Sequence, residues 1–213
     1  MTFLQRIILA VSLLSIVILA RAEMVAPDVL IDSTVKEIIA VVKQDKDIRA
    51  GDQKKILALV DAKVLPHFDF ERMTQLAVGK YWRTATPEQK QALITEFRNV
   101  LVRTYTKVFT VYSNETIEVK PLKMDADMTD EVTVKTVINR AGSLSIPVDY
   151  EMRKSDKGWR AFDISIEGVS MVMSYRGTFT SQIQQGGIDG LIKTLSDKNT
   201  SAADSDLQKV NAK

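Results

Sequence analysis

His67 is the sole histidine in the 213-residue chain and cysteine is absent. Any serine-hydrolase or thiol chemistry therefore has one imidazole to work with. No serine sits in a G-x-S-x-G turn, and a nucleophile needs a base beside it and a third group to orient that base. His67 follows Pro66 at a helix boundary, where a capping or surface role suits it. One histidine and no D-x-D-x-D-G loop leave only scattered carboxylates for a metal. Asp163 and Glu167 could be imagined as an acid/base pair. They lie four apart at a strand end, and Asp163 alternates away from Phe162 and Ile164. Gly186-Gly187-Ile188-Asp189-Gly190 lacks the G-x-G-x-x-G spacing and follows no strand, so it reads as a helix break rather than a phosphate loop. The sequence assigns no catalytic residue, no metal and no cofactor.

What the chain does concentrate is soft apolar surface. Ser165 to Phe179 reads SIEGVSMVMSYRGTF, with Val169, Met171, Val172, Met173, Tyr175 and Phe179 close together. These cannot all share one helical stripe. A helix apolar around most of its start is deeply buried or flanks a cavity, and methionine adapts to variable apolar partners.

The elements that must hold this surface follow from periodicity. Asp28 to Lys43 carries a helical stripe behind Pro27. Asp52 opens a second helix through Ile56, Leu59 and Val60. Phe68 to Gly79 reads as a third, stopped by Gly79. Thr86-Pro87-Glu88-Gln89 is a cap, a proline and a capping glutamine, starting a long helix through Phe97 and Tyr105 to Phe109. The period then becomes two. Strands are expected from Ile117 to Pro121, Val132 to Asn139, Ile146 to Arg153 and Ala161 to Ile166. Turns at Ala141-Gly142-Ser143 and Asp156-Lys157-Gly158 make neighbours antiparallel. Gly168 to Gln185 returns to helix, and Ile188 to Leu195 forms a short last one. The polar tail from Ser196 to Lys213 is expected to fray.

A curved antiparallel sheet of about four strands, covered by helices from the N-terminal half and the C-terminus, is an α+β fold. Its shape is an NTF2-like cone with added helices. Residues 1–22 have the build of a cleaved signal peptide: Arg6, an apolar run from Ile7 to Ala20, and Ala20-Arg21-Ala22 before the cut. The run falls short of the roughly 20 residues that span a bilayer. Residues 23–195 suit one domain. The chain has 29 Lys+Arg and 27 Asp+Glu. The signal holds two of the basic residues and no acidic one, so the mature chain is neutral. With no clustered basic face, nucleic-acid binding has no support.

Three segments carry a resemblance. FDFERMTQLAVGKYWRTATPEQ (Phe68 to Gln89), WRAFDISIEGVSMVMSYRGTF (Trp159 to Phe179) and QQGGIDGLIKTL (Gln184 to Leu195) resemble the MlaC family, also known as toluene-tolerance (Ttg2-type) or auxiliary ABC-transport proteins. The match runs from about Ile31 to Leu195, with the motifs in the family's order. The resemblance implies a soluble periplasmic phospholipid carrier in a Gram-negative cell. It implies shuttling between an outer-membrane lipoprotein–porin complex (MlaA-like) and an inner-membrane ABC transporter complex (MlaFEDB-like), to maintain outer-membrane lipid asymmetry. It also implies a pocket for acyl chains between sheet and helices.

The physics is compatible. A buried methylene is worth roughly 0.8 kcal/mol, so about 30 methylenes hold a diacyl lipid in its bilayer by roughly 20 kcal/mol or more. Only an apolar sleeve makes transfer nearly isoenergetic. No arginine or lysine phosphate clamp is evident, which fits a headgroup left in water. Inward parity and motif position assign the pocket's strand side to Val132, Val134, Ile138 and Val148, with Tyr150, Phe162 and Ile164. Its helical walls are assigned to Leu76, Tyr81, Leu101 and Tyr105, and to Val169, Met171, Val172, Met173 and Tyr175. Glutamate at Val169 or Met171 is then expected to abolish lipid retention.

Two other readings compete. The cone is also the shape of ketosteroid-isomerase-like enzymes, in which Asp163, Tyr150 or Tyr105 could act in an apolar pocket. A lipid-free adaptor between two membrane complexes would instead have a filled core.

Overall fold

Proline without an N–H suits the first helical position, and the first helix, α1, begins there, running Pro27–Gln44. The structure is a computed structural model that describes residues 24–106, 115–122, 130–140, 142 and 144–211, with side chains to residue 201. The expected signal peptide, the expected helix end at Val108 and Phe109, and turn residues Ala141 and Ser143 lie outside the described residues.

Aspartates punctuate the helical half. Asp45 accepts the N–H groups of Asp47 and Ile48 to start α2, Lys46–Arg49. Asp52 does the same for Lys55 at α3, Gln53–Lys63. Asp69 caps α4, Phe70–Val78, through Arg72 N–H at 2.9 Å, while its other oxygen takes Arg153 Nε at 2.5 Å. That buried carboxylate thus ties helix to sheet. Gly79 ends α4 at φ 63°, and a Cβ there would lie 3.1 Å from the Arg176 guanidinium. The expected capping box opens α5, Pro87–Tyr105: Gln89 N–H donates to Thr86 Oγ1, and Thr86 N–H to Gln89 Oε1.

The strands among the described residues are β1 Thr116–Val119, β2 Glu131–Asn139, β3 Ile146–Ser155, β4 Gly158–Ile166 and β5 Val169–Ser170. They form one antiparallel meander in that order. Four match the alternating runs in the sequence. The fifth occupies what periodicity reads as the start of a helix. Glu167 and Gly168 make a two-residue hairpin that turns Val169 back onto Ile166. Ser170 then caps the next helix: its hydroxyl accepts Met173 N–H and donates to Asp163. Asp163 also accepts Val172 N–H at 3.0 Å. Helix α6 therefore begins at Met171 and runs Met171–Asn211.

Glu167 and Gly168 both have positive φ, 51° and 80°. This is the backbone of a primed hairpin turn, which favours Asn-Gly. A glutamate in the left-handed region is strained. Glu167→Asn is expected to raise unfolding free energy by about 0.5–1 kcal/mol, read as a higher urea midpoint at constant slope. An unchanged midpoint would show that the turn stores no strain.

At Gly187 the φ/ψ of 70° and −176° is non-helical, so the helix breaks there as the sequence reads it, and α6 is two helical segments joined at this kink. Beyond the kink Leu191 and Leu195 are buried in the helical core. The helix also passes Ser196, where the sequence reads a frayed tail. Asn199 is buried and its Nδ2 donates to Glu96, at 3.0 Å to the carbonyl and 2.6 Å to the carboxylate.

Apolar burial falls into three clusters. One joins α4, α5 and α6 around Phe97, Phe179 and Leu93. A second lies where α1 meets the sheet, at Ile31, Val134, Met152 and Trp159. The third joins α1, α2 and α3 through Val42, Ile48 and Ile56.

Candidate functional site

Between these clusters lies a cavity of about 510 Å³, inside the roughly 300–1,000 Å³ range of ligand pockets. Its floor is the inner face of the sheet. On β3, Ile146, Val148 and Tyr150 line it at alternate positions, as a period of two requires. Ile117, Ile138 and Ile164 continue that face on the flanking strands. The roof is α1, whose Val35, Ile38, Ile39 and Val42 point into it. Leu101 and Tyr105 at the end of α5, Phe70 of α4 and Met171 of α6 close the sides. A second depression of about 610 Å³ lies along α5 between Pro87 and Glu96, but it is open to solvent and encloses nothing.

The polar content of the cavity is small. Two charged side chains line it among the described residues, Glu115 and Arg140, and they pair with each other at 2.7 Å. His67 lines it in the uncharged form: burial and then the nearby Arg160 lower its pKa below the usual 6.5, against a smaller opposing pull from Glu37. Burial raises the pKa of Tyr150 above its usual 10.0, and burial followed by the neighbouring Tyr175 does the same for Tyr105. Both phenols stay protonated. An aliphatic and aromatic chamber with neutral hydroxyls can hold hydrocarbon. No group of three or more histidine, cysteine or acidic side chains converges as a metal site among the described residues.

Seven residues assigned to the pocket from sequence line this cavity: Leu101, Tyr105, Ile138, Val148, Tyr150, Ile164 and Met171. The other nine lie elsewhere, each for a local reason. Val132 and Val134 share the cavity face but sit further along β2, where α1 has closed onto the sheet. Phe162 falls at a β-bulge: Glu151 pairs with Asp163 and Met152 with Ala161, leaving Phe162 unpaired. The extra residue breaks the alternation, and Phe162 packs into the helical core with Arg72 over its ring at 5.7 Å. Leu76, Tyr81, Val172 and Tyr175 belong to that same core. Val169 and Met173 are on the surface, 65% and 41% exposed. The turn at Glu167-Gly168 and the late start of α6 rotate them outward.

Sequence reasoning missed the α1 roof and the polar end. The stripe Val35, Ile38, Ile39, Val42 is visible in the sequence, but nothing in it separates packing from lining. The acid/base candidates are accounted for structurally. Asp163 caps α6 through Val172 N–H. Glu167 stands in the hairpin turn.

Comparison with known proteins places this geometry. The profile of a family described as MlaC protein matches residues 32–197. The toluene tolerance protein Ttg2D of Pseudomonas putida is 26% identical over 170 residues, covering 79% of this chain and 78% of the relative. The intermembrane phospholipid transport system binding protein MlaC of Haemophilus influenzae is 22% identical over 172 residues, covering 80% of each. A solved phospholipid-binding protein from Ralstonia solanacearum, in complex with a phospholipid, superposes with a TM-score of 0.75 at 35% identity, over 83% of this chain and 98% of the other.

Proposed function

The chain belongs to the MlaC family, and from that premise we propose that it binds phospholipid tails in the cavity between α1, α5 and the sheet, as a carrier rather than an enzyme. The observation that carries the proposal is the apolar cavity of about 510 Å³, in a chain whose solved relative holds a phospholipid. The described residues contain no helix long and apolar enough to cross a membrane.

The finer picture belongs to the same proposal. Residues 1–22 are removed on export, and the mature protein works in the periplasm. It passes glycerophospholipid between an outer-membrane lipoprotein–porin complex and an inner-membrane ABC transporter, whose ATP supplies direction. The tails enter the cavity and are matched by its lining, so release to a partner site costs little.

The test is extraction of natively purified protein with organic solvent, followed by mass spectrometry. Phospholipid near one molecule per chain is the expected result. Protein that emerges free of lipid and takes none up from vesicles overturns the proposal.

A further inference from the structure

Arg140 and Glu115 stand at one end of the cavity in a specific arrangement. Thr116 pairs with Asn139 at the end of the β1–β2 ladder, so Glu115 and Arg140 are the next opposed positions. Nε and Nη2 of Arg140 approach one oxygen, Oε1 of Glu115, at 2.9 and 2.7 Å. The glutamate side chain is 5% exposed and the arginine 52%. A buried carboxylate thus grips one edge of a guanidinium whose remainder faces solvent. Guanidinium has five N–H donors in a fixed fork. The end-on pair, one N–H from each of Nη1 and Nη2, is left over by this contact.

From this geometry we infer that Arg140, oriented by Glu115, is the anion site of the cavity mouth and takes the phosphate of a ligand whose tails lie inside. The inference rests on the proposed phospholipid cargo and adds a headgroup subsite to it. Two features select the chemistry. A free fork matches two phosphate oxygens, which arginine binds bidentately. The fork also adjoins apolar walls, with Ile138 two residues before Arg140 and Ile146 across the ladder from Ile138. An anion attached to hydrocarbon satisfies both features. The sequence reading leaves the headgroup in water because no cluster of basic residues is visible. One arginine held by a buried partner produces no cluster.

The experiment is competitive loading of the mature protein from mixed vesicles of phosphatidylglycerol and diacylglycerol, with bound lipid counted by mass spectrometry. The variant is the double change Glu115→Gln with Arg140→Gln, which replaces the ion pair by an amide pair. The wild-type ratio of phosphatidylglycerol to diacylglycerol is expected to fall about tenfold in the double variant. Arg140→Lys, which keeps the charge but loses the fork, is expected to fall between the two, and it serves if the double variant does not fold. A ratio unchanged in both variants, or a wild type with no preference, overturns the headgroup site while leaving the carrier standing. A wild type that binds neither lipid overturns both. A parallel arm adds inorganic phosphate. Phosphate that leaves the loading ratio unmoved supports a tethered headgroup. Phosphate that erases the wild-type preference assigns the fork to the free ion and overturns the lipid assignment.

Discussion

Met171→Glu is expected to lower phospholipid retention by at least about 100-fold, while Val169→Glu leaves it within about twofold. The two residues are two apart in sequence and on opposite sides of the cavity wall. Met171 lines the cavity, whereas Val169 is 65% exposed on β5. Glutamate at Met171 either carries its charge among acyl tails or takes up a proton and still buries a carboxyl group without a partner. A 100-fold loss corresponds to about 2.7 kcal/mol, within reach of either cost. The opposing effect is the α6 N-terminus, which favours an acidic side chain by about 0.3–1 kcal/mol and is too small to compensate. Far-UV circular dichroism should be near normal for both variants. Equal retention by Met171→Glu and wild type would remove this wall from the site, and loss of lipid in Val169→Glu would mean that surface packing, not the cavity, governs retention.

Phe97→Ala is expected to cost about 3–5 kcal/mol of folding stability. Phe97 has 0% exposure and meets Tyr175 and Phe179 edge-on, at centroid distances of 5.0 and 5.1 Å. Tyr175 and Phe179 are themselves 5.6 Å apart. These three rings join the middle of α5 to the first turns of α6, the segment that carries Met171. Loss of one leaves a space the others cannot fill without shifting α6. A total stability of about 5–15 kcal/mol makes this a large fraction, measurable as a lower urea midpoint. Leu144→Ala is the control, because Leu144 is 92% exposed and a surface change away from special features moves stability by about 0.5 kcal/mol or less. A Phe97→Ala cost below about 1 kcal/mol would show that the trio does not hold α6.

Much of the fold is legible in the sequence because the underlying effects are local. The capping box at Thr86 and Gln89, the stop at Gly79 and the alternation along β2 and β3 each need only a few neighbouring residues. The cavity is less legible because it depends on where elements end. Val134 and Ile138 have the same parity and type, yet one is roofed by α1 and the other opens to the void. Phe162 follows the alternation of its strand and still misses the cavity, because a bulge is set by the pairing with β3 and not by β4 alone. Val169 and Met173 look like the start of an apolar helix until a two-residue turn at Glu167 intervenes. Asn199 reads as tail because its anchor, Glu96, is 103 residues away. Of the competing readings, the filled adaptor core does not describe a chain with this cavity. Of the three residues the isomerase-like reading names, Tyr150 and Tyr105 line the cavity, whereas Asp163 lies off it and holds the start of α6.

The division of apolar burial into three clusters around a void has a mechanical consequence. Interiors normally pack like organic crystals, whereas the three clusters leave about 510 Å³ between them, a volume lost when the chain unfolds. Hydrostatic pressure favours the state of lower volume, so compression is expected to unfold the protein more readily without a ligand in the cavity than with one. A ligand bound there would act as a removable piece of the interior.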